Sequence, residues 1–106
     1  PKIDDDRITW HKGLVEDNFK NSKFENLSKK KYIILDLDLF EPTKYVLKEI
    51  TPFLNKGDIL YFDEPHDIDE GSLLYLFCKL NKSKIKVLGC SPIQVLIKIT
   101  ENNLEF

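Results

Sequence analysis

Several residue types and patterns are scarce in this 106-residue chain, and each absence excludes a class of protein. The two cysteines, Cys78 and Cys90, form no Cys-x-x-Cys pair, so neither a disulfide framework nor a cysteine zinc site is indicated. Two reduced thiols suit a cytoplasmic protein. No apolar run approaches the roughly 20 residues of a membrane-spanning helix, and we expect no membrane partner. Sixteen Lys and Arg against 18 Asp and Glu leave no basic surplus, so we expect no nucleic-acid partner.

The apolar residues that are present fall into strand-like runs. Tyr32–Leu37 and Ile59–Asp63 are near-continuous apolar segments, the pattern of strands buried on both faces of a parallel sheet. Lys84–Leu88 and Ile93–Ile99 are predicted to pair as an antiparallel hairpin, because the short turn between them leaves no room for a crossover helix. A further short strand is predicted at Arg7–Trp10.

Helix-like segments lie between these runs. Leu14–Phe19 is long enough for a helical turn or two. Apolar residues recur at helical spacing over Val46–Leu54, after Pro42, which suits a first helical turn. A second stripe covers Leu73–Leu80. The order strand, helix, strand, helix, hairpin predicts an α/β domain with a largely parallel sheet.

Acidic residues stand where the two central strands are predicted to end. Asp36 and Asp38 close the first strand, and Asp63 and Glu64 close the second. Ligand sites in open α/β sheets lie beyond the carboxyl ends of parallel strands, so we expect these carboxylates to gather at one edge. Their mutual repulsion would favour Mg²⁺, which takes carboxylate and water oxygens. The alternative is that each Asp only caps the next helix or stabilises a turn.

Four segments carry short motifs in a fixed order. The first segment, Trp10–Phe19, has the sequence WHKGLVEDNF, and the second, Leu35–Thr43, has the sequence LDLDLFEPT. In the third, Lys56–Gly57 is followed by YFDE at Tyr61–Glu64. The fourth, Val87–Ile99, contains the last apolar runs. They resemble the "K-G-x-F-E-D-T-L", "D-x-D-L-Y-x-S/P-T" and "P-G-G…D-D/E" segments and the final hairpin of macrocin O-methyltransferase-like enzymes. These are class I S-adenosylmethionine-dependent methyltransferases, and the resemblance covers roughly residues 7–100.

The resemblance implies a Rossmann-like methyltransferase sheet, of which residues 1–106 would be the C-terminal part, a single domain that starts near the third strand. The Gly-rich turn that binds the cofactor in that fold has no counterpart, since the four glycines stand alone at positions 13, 57, 71 and 89. Only Glu16 and Asp17 are then expected to contact the cofactor. The neighbour of Tyr32–Leu37 would also be absent, which leaves an apolar edge. We therefore expect self-association or a missing N-terminal half.

The resemblance also implies methyl transfer from S-adenosylmethionine to a hydroxyl of a small metabolite or sugar. In metal-dependent members, an Asp after the fourth strand and an acidic pair after the fifth hold Mg²⁺. Here these are Asp36 or Asp38, with Asp63 and Glu64, and the metal would lower the pKa of the acceptor hydroxyl. Asp38 and His66 are the candidate catalytic residues, His66 because an imidazole titrates near neutral pH.

Two other interpretations are open. Ile33–Asp38 also resembles the "hhhh-D-x-D" nucleophile motif of haloacid-dehalogenase-type phosphatases, although Leu39 and Phe40 stand where that family has Gly-Thr. The other interpretation is a non-catalytic, methyltransferase-like module for binding or assembly, which the isolated glycines favour.

Overall fold

The computed structural model describes residues 4–8, 12–18, 29–63 and 68–106. The helices are α1 (Val15–Asn18), α2 (Phe40–Ile50) and α3 (Ile68–Leu80), and a 3₁₀ turn at Thr51–Phe53 follows α2. The strands are β1 (Tyr32–Leu35), β2 (Ile59–Asp63), β3 (Ile85–Ser91) and β4 (Gln94–Ile99). The described residues form a small mixed α/β domain, as the sequence pattern predicts.

The four strands form one mixed sheet in the order β1-β2-β4-β3. β1 and β2 are parallel and are joined through α2, whereas β4 is antiparallel to both β2 and β3. The predicted hairpin is confirmed, but β3 continues to Ser91 instead of ending at Leu88. A bulge shifts the register between Val87 and Gly89, so that pairing resumes beyond it and the turn moves to residues 92–93.

One face of the sheet carries the core. Leu35, Leu60, Phe62, Ile97 and Ile99 are buried and are neighbours across the strands. They pack in one cluster with the apolar stripes of α2 and α3, namely Val46, Leu47, Ile50, Leu73 and Phe77. Both helices therefore cover the same face, and α1 packs beside α2.

The opposite face has no helix over it within the described residues. It carries Tyr32 and Ile34 of β1, Ile59 and Tyr61 of β2, and Leu96 of β4, which are neighbours in the strand register. Tyr32 and Ile34 are 69% and 71% exposed. A shallow apolar groove of about 240 Å³ lies among these side chains. We call these five residues the open face.

A buried carboxylate aligns the starts of β1 and β2. Asp58 is fully buried and accepts hydrogen bonds from the backbone N–H groups of Lys31 (2.9 Å) and Asn55 (2.8 Å). The Lys31 amine lies 2.9 Å from the same carboxylate. These contacts join the segment before β1 to the loop before β2, and Gly57, at φ +97°, gives that loop its tight bend.

A buried amide attaches the C-terminal tail to α3. The Asn81 side chain donates to the carbonyls of Phe77 and Glu105, both at 2.8 Å, and accepts from the Glu105 N–H at 2.7 Å. The Phe106 ring then packs against Phe77, with 6.2 Å between ring centroids. The tail thereby covers the end of the core at α3.

The structure departs most from the sequence prediction at the C-terminal end of β1 and at the strand predicted for Arg7–Trp10. β1 ends at Leu35, two residues earlier than predicted, because the chain turns at Asp38. Arg7 and Ile8 do not form a strand; the Ile8 N–H donates to the Asp5 carbonyl at 3.0 Å, and residues 9–11 lie outside the described part.

Among the described residues, no helix has the length and apolar content needed to cross a membrane.

Candidate functional site at the carboxyl ends of β1 and β2

Two carboxylates predicted from the sequence meet at this edge of the sheet. Asp63 is the last residue of β2, and Asp36 directly follows β1. The parallel register pairs Leu35 with Phe62, so Asp36 and Asp63 come next to each other at the end of the ladder. The charge of Asp63 has the largest effect on the pKa of Asp36, so the two side chains lie close together. The structure therefore brings Asp36 and Asp63 together, as the positions of the strand ends predict.

The carboxylates of Asp36 and Asp63 repel each other. The negative charge of Asp63 raises the pKa of Asp36, and the partial loss of water around it and the charge of Asp38 add to this shift. Like charges held close together disfavour the ionised form of one of them. A cation bound between the two carboxylates would remove this penalty, so the pair has the charge and the oxygen donors of a divalent-metal site.

Asp38 lies in a tight turn that leads from β1 into α2. Its φ is +60°, in the left-handed region that residues other than glycine rarely adopt. The Leu39 N–H donates to the Leu37 carbonyl at 2.7 Å, which closes a three-residue turn around Asp38. Asp38 is exposed, and its contribution to the raised pKa of Asp36 is smaller than that of Asp63. The turn therefore keeps Asp38 near Asp36 and Asp63, but Asp38 is not part of that pair.

Tyr61 and Gln94 belong to the site although the sequence analysis did not select them. The Tyr61 hydroxyl donates to Asp63 Oδ1 at 3.3 Å. Gln94 lies opposite Asp63 in the β2–β4 ladder and is close enough to Tyr61 to act on its pKa, which it lowers. Burial raises the pKa of Tyr61, and the charge of Asp63 raises it further. The sequence could have indicated Tyr61, because its two-residue spacing from Asp63 places both side chains on one face of a strand.

A small recess adjoins Tyr61. It has a volume of about 280 Å³ and is lined by Tyr61, Gln94, Leu96 and the β3 residues 89–91. Ligand pockets for small molecules usually range from about 300 to 1,000 Å³, so this recess would hold only part of a metabolite. The Tyr61 hydroxyl, which donates to Asp63, connects this recess to the carboxylates.

Glu16 and Asp17 lie elsewhere. Both are on α1, where Glu16 is partly buried and Asp17 is exposed. Burial raises the pKa of Tyr45 on α2, and the charges of Glu49, Glu16 and Asp17 contribute to that shift. The two predicted cofactor contacts therefore lie near Tyr45, whereas the residues that raise the pKa of Asp36 are Asp63 and Asp38.

The remaining predicted residues, Glu64 and His66, lie outside the described residues. Within the described ranges, no three His, Cys, Asp or Glu side chains converge as a metal-binding group. Mg²⁺ usually keeps several waters and binds through one or two carboxylates, so the pair of Asp36 and Asp63 still has a suitable donor set.

Comparison of the chain with family models, with curated proteins and with solved structures finds no match. The sheet order and the carboxylate pair are therefore the observations from which a function can be argued.

Proposed function

We propose that this chain is the C-terminal portion of a metal-assisted, S-adenosylmethionine-dependent O-methyltransferase that acts on a small hydroxylated metabolite or a sugar. The observation that carries the proposal is the pairing of Asp36 with Asp63 at the carboxyl ends of two adjacent parallel strands. Carboxyl ends of parallel strands are where open α/β sheets bind their ligands.

The sheet order supports the same proposal. Two parallel strands joined through a helix are followed by a hairpin whose last strand inserts antiparallel beside β2. A Rossmann-like methyltransferase sheet would end in this way, according to the resemblance. Asp36 directly follows β1 and Asp63 ends β2, and these positions support carrying the family's metal-ligand motif onto them.

The carboxylate pair would hold Mg²⁺, with water or acceptor oxygens completing the coordination. A divalent cation bound there would lower the pKa of an acceptor hydroxyl and so favour its attack on the methyl group. Tyr61 restrains Asp63 through its hydrogen bond and, with Gln94, offers polar contacts to an acceptor in the adjoining recess. Asp38 and His66 are the proposed catalytic residues, and Glu64 is the proposed additional metal ligand.

A calorimetric titration with S-adenosylhomocysteine in the presence of Mg²⁺ tests the cofactor part of this proposal. Micromolar binding by the 106-residue chain would support a cofactor site on it. Replacing Glu16 and Asp17 by Gln and Asn should weaken that binding, because these residues are the proposed cofactor contacts. A matched change at the exposed Glu101, Glu101→Gln, should leave it unchanged.

A non-catalytic binding or assembly module is the second candidate. One observation favours it: the four glycines are isolated and form no Gly-rich cofactor turn. It predicts that Mg²⁺ binds while S-adenosylhomocysteine produces no heat even at millimolar concentration. That result would contradict a cofactor site on this chain and would favour the module.

A further inference from the structure

The outer edge of β1 is unpaired within the described part of the chain. β1 stands first in the sheet order, and only β2 pairs with it there. Two of its four side chains, Tyr32 and Ile34, project to the open face and are about 70% exposed. Natural edge strands are commonly protected by an inward-pointing charge, a proline or a bulge, and Tyr32–Leu35 contains none of them.

Charges of opposite sign flank this edge. Lys29 and Lys30 precede β1 and are exposed, while Asp36 and Asp38 follow it and are exposed. The Lys30 amine lies 5.5 Å from the centre of the Tyr32 ring, so this lysine extends along the open face. The strand is therefore positive at its start and negative at its end. An antiparallel copy of the same strand would place each end beside its opposite.

We propose that β1 pairs antiparallel with β1 of a second copy of this chain, which joins two four-stranded sheets into one of eight strands. A two-fold axis perpendicular to the sheet keeps the open faces on the same side, and cross-strand neighbours then lie on the same face. With Ile33 on the axis, Tyr32 lies opposite Ile34 of the second copy. Lys30 then lies opposite Asp36 of the second copy, and the symmetry repeats both pairs.

The size of this contact sets its strength. Four residues of strand extend about 13 Å. Such an edge contact buries less than the roughly 800 Å² per partner of a standard protein interface. The association is therefore reversible and concentration-dependent. The association is measured without a metal or a cofactor, and the pairing of Tyr32 with Ile34 involves no residue of the proposed metal site, so its failure and that of the proposed function are separate results.

Sedimentation equilibrium over a range of protein concentrations tests the association. The wild-type chain should pass from monomer to dimer. Ile34→Lys should raise the dimer dissociation constant at least tenfold, because it places a charge on the apolar edge. Tyr75→Lys is the matched control, since Tyr75 is 68% exposed on α3, on the other side of the sheet. A wild-type monomer at every concentration, or equal weakening by both variants, overturns the proposal.

A charge exchange tests the register. Lys30→Glu alone places two acidic residues opposite each other at both symmetric positions and should weaken the dimer, and so should Asp36→Lys alone. The double variant restores opposite charges and should recover most of the wild-type association. Circular dichroism confirms that each variant is folded. The pairing is overturned if neither single variant weakens the dimer, or if the double variant does not restore the association. Either result points to contact through the open faces.

Discussion

Asp58 offers a direct test of what holds the first two strands together. Its carboxylate is fully buried and receives the Lys31 and Asn55 N–H groups and the Lys31 amine, all within 2.8–2.9 Å. Asp58→Asn preserves the shape of the side chain but replaces one acceptor oxygen by an amide nitrogen, which is a donor. Because three donors surround the group, at least one hydrogen bond is lost and one donor faces another.

The magnitude follows from these contacts. A hydrogen bond to a charged group contributes about 1.5–3 kcal/mol, and breaking a buried ion pair by removing one partner costs about 3–5 kcal/mol. The Lys31 side chain is 18% exposed, so water can partly compensate its lost counter-charge. We therefore expect a loss of about 3 kcal/mol, the lower end of that range. This is a large share of the roughly 5–15 kcal/mol that stabilises a domain of this size.

Urea denaturation followed by circular dichroism measures this loss. With a slope of about 1–3 kcal/mol per molar urea, the midpoint should fall by between about 1 and 3 M. Glu101→Gln removes one negative charge at an exposed position and should change the free energy of unfolding by less than about 0.5 kcal/mol. A loss of under about 1 kcal/mol in Asp58→Asn would show that the carboxylate does not join the strands as described.

Three further changes test other parts of the structure. Asn81→Ala should lower the free energy of unfolding by about 2–3 kcal/mol in urea, because the Glu105 backbone loses both of its Asn81 hydrogen bonds; an unchanged midpoint would contradict this role. Gly57→Ala should cost about 1–2 kcal/mol, since φ is +97° and an added Cβ meets no atom within 4 Å, so only the backbone conformation opposes it; a stabilised variant would contradict the bend. The raised pKa of Asp36 means that the folded state binds its proton more tightly, so wild-type stability falls as pH rises through that pKa. Asp36→Asn should therefore melt at a higher temperature than wild type at about pH 7 and at the same temperature at about pH 3; a variant that is less stable at neutral pH would contradict the repulsion.

The elements of the fold were largely predictable because their apolar periodicity is strong. β2 was predicted with its observed bounds, Ile59–Asp63, since Gly57 ends the preceding segment and a polar residue follows the apolar run. β1 was predicted too long because Leu37 continues the apolar pattern after the hydrogen-bonded ladder has ended. The positive φ of Asp38 and the bulge in β3 depend on tertiary pairing, which composition and periodicity do not encode.

The part of the site that lies at strand ends could be predicted, whereas the part that depends on tertiary contacts could not. Strand ends are visible in the sequence, so the proximity of Asp36 and Asp63 could be inferred before the structure. The role of Gln94 depends on the insertion of β4 next to β2, a pairing between segments more than 30 residues apart. The placement of Glu16 and Asp17 beside Tyr45 depends on how α1 packs on α2, and no local pattern specifies that contact.

Terbium luminescence measures whether Asp36 and Asp63 together bind a divalent cation. Tb³⁺ occupies hard oxygen sites and emits when a nearby tyrosine transfers energy to it. The Tyr61 hydroxyl lies 3.3 Å from the Asp63 carboxylate. Excitation of tyrosine should produce Tb³⁺ emission that Mg²⁺ displaces, and the Asp36→Asn, Asp63→Asn double variant should lose it. Tyr61→Phe should lose the emission but still bind Mg²⁺ by calorimetry. Emission that persists unchanged in the double variant, or no emission and no Mg²⁺ binding by the wild-type chain, would contradict the site.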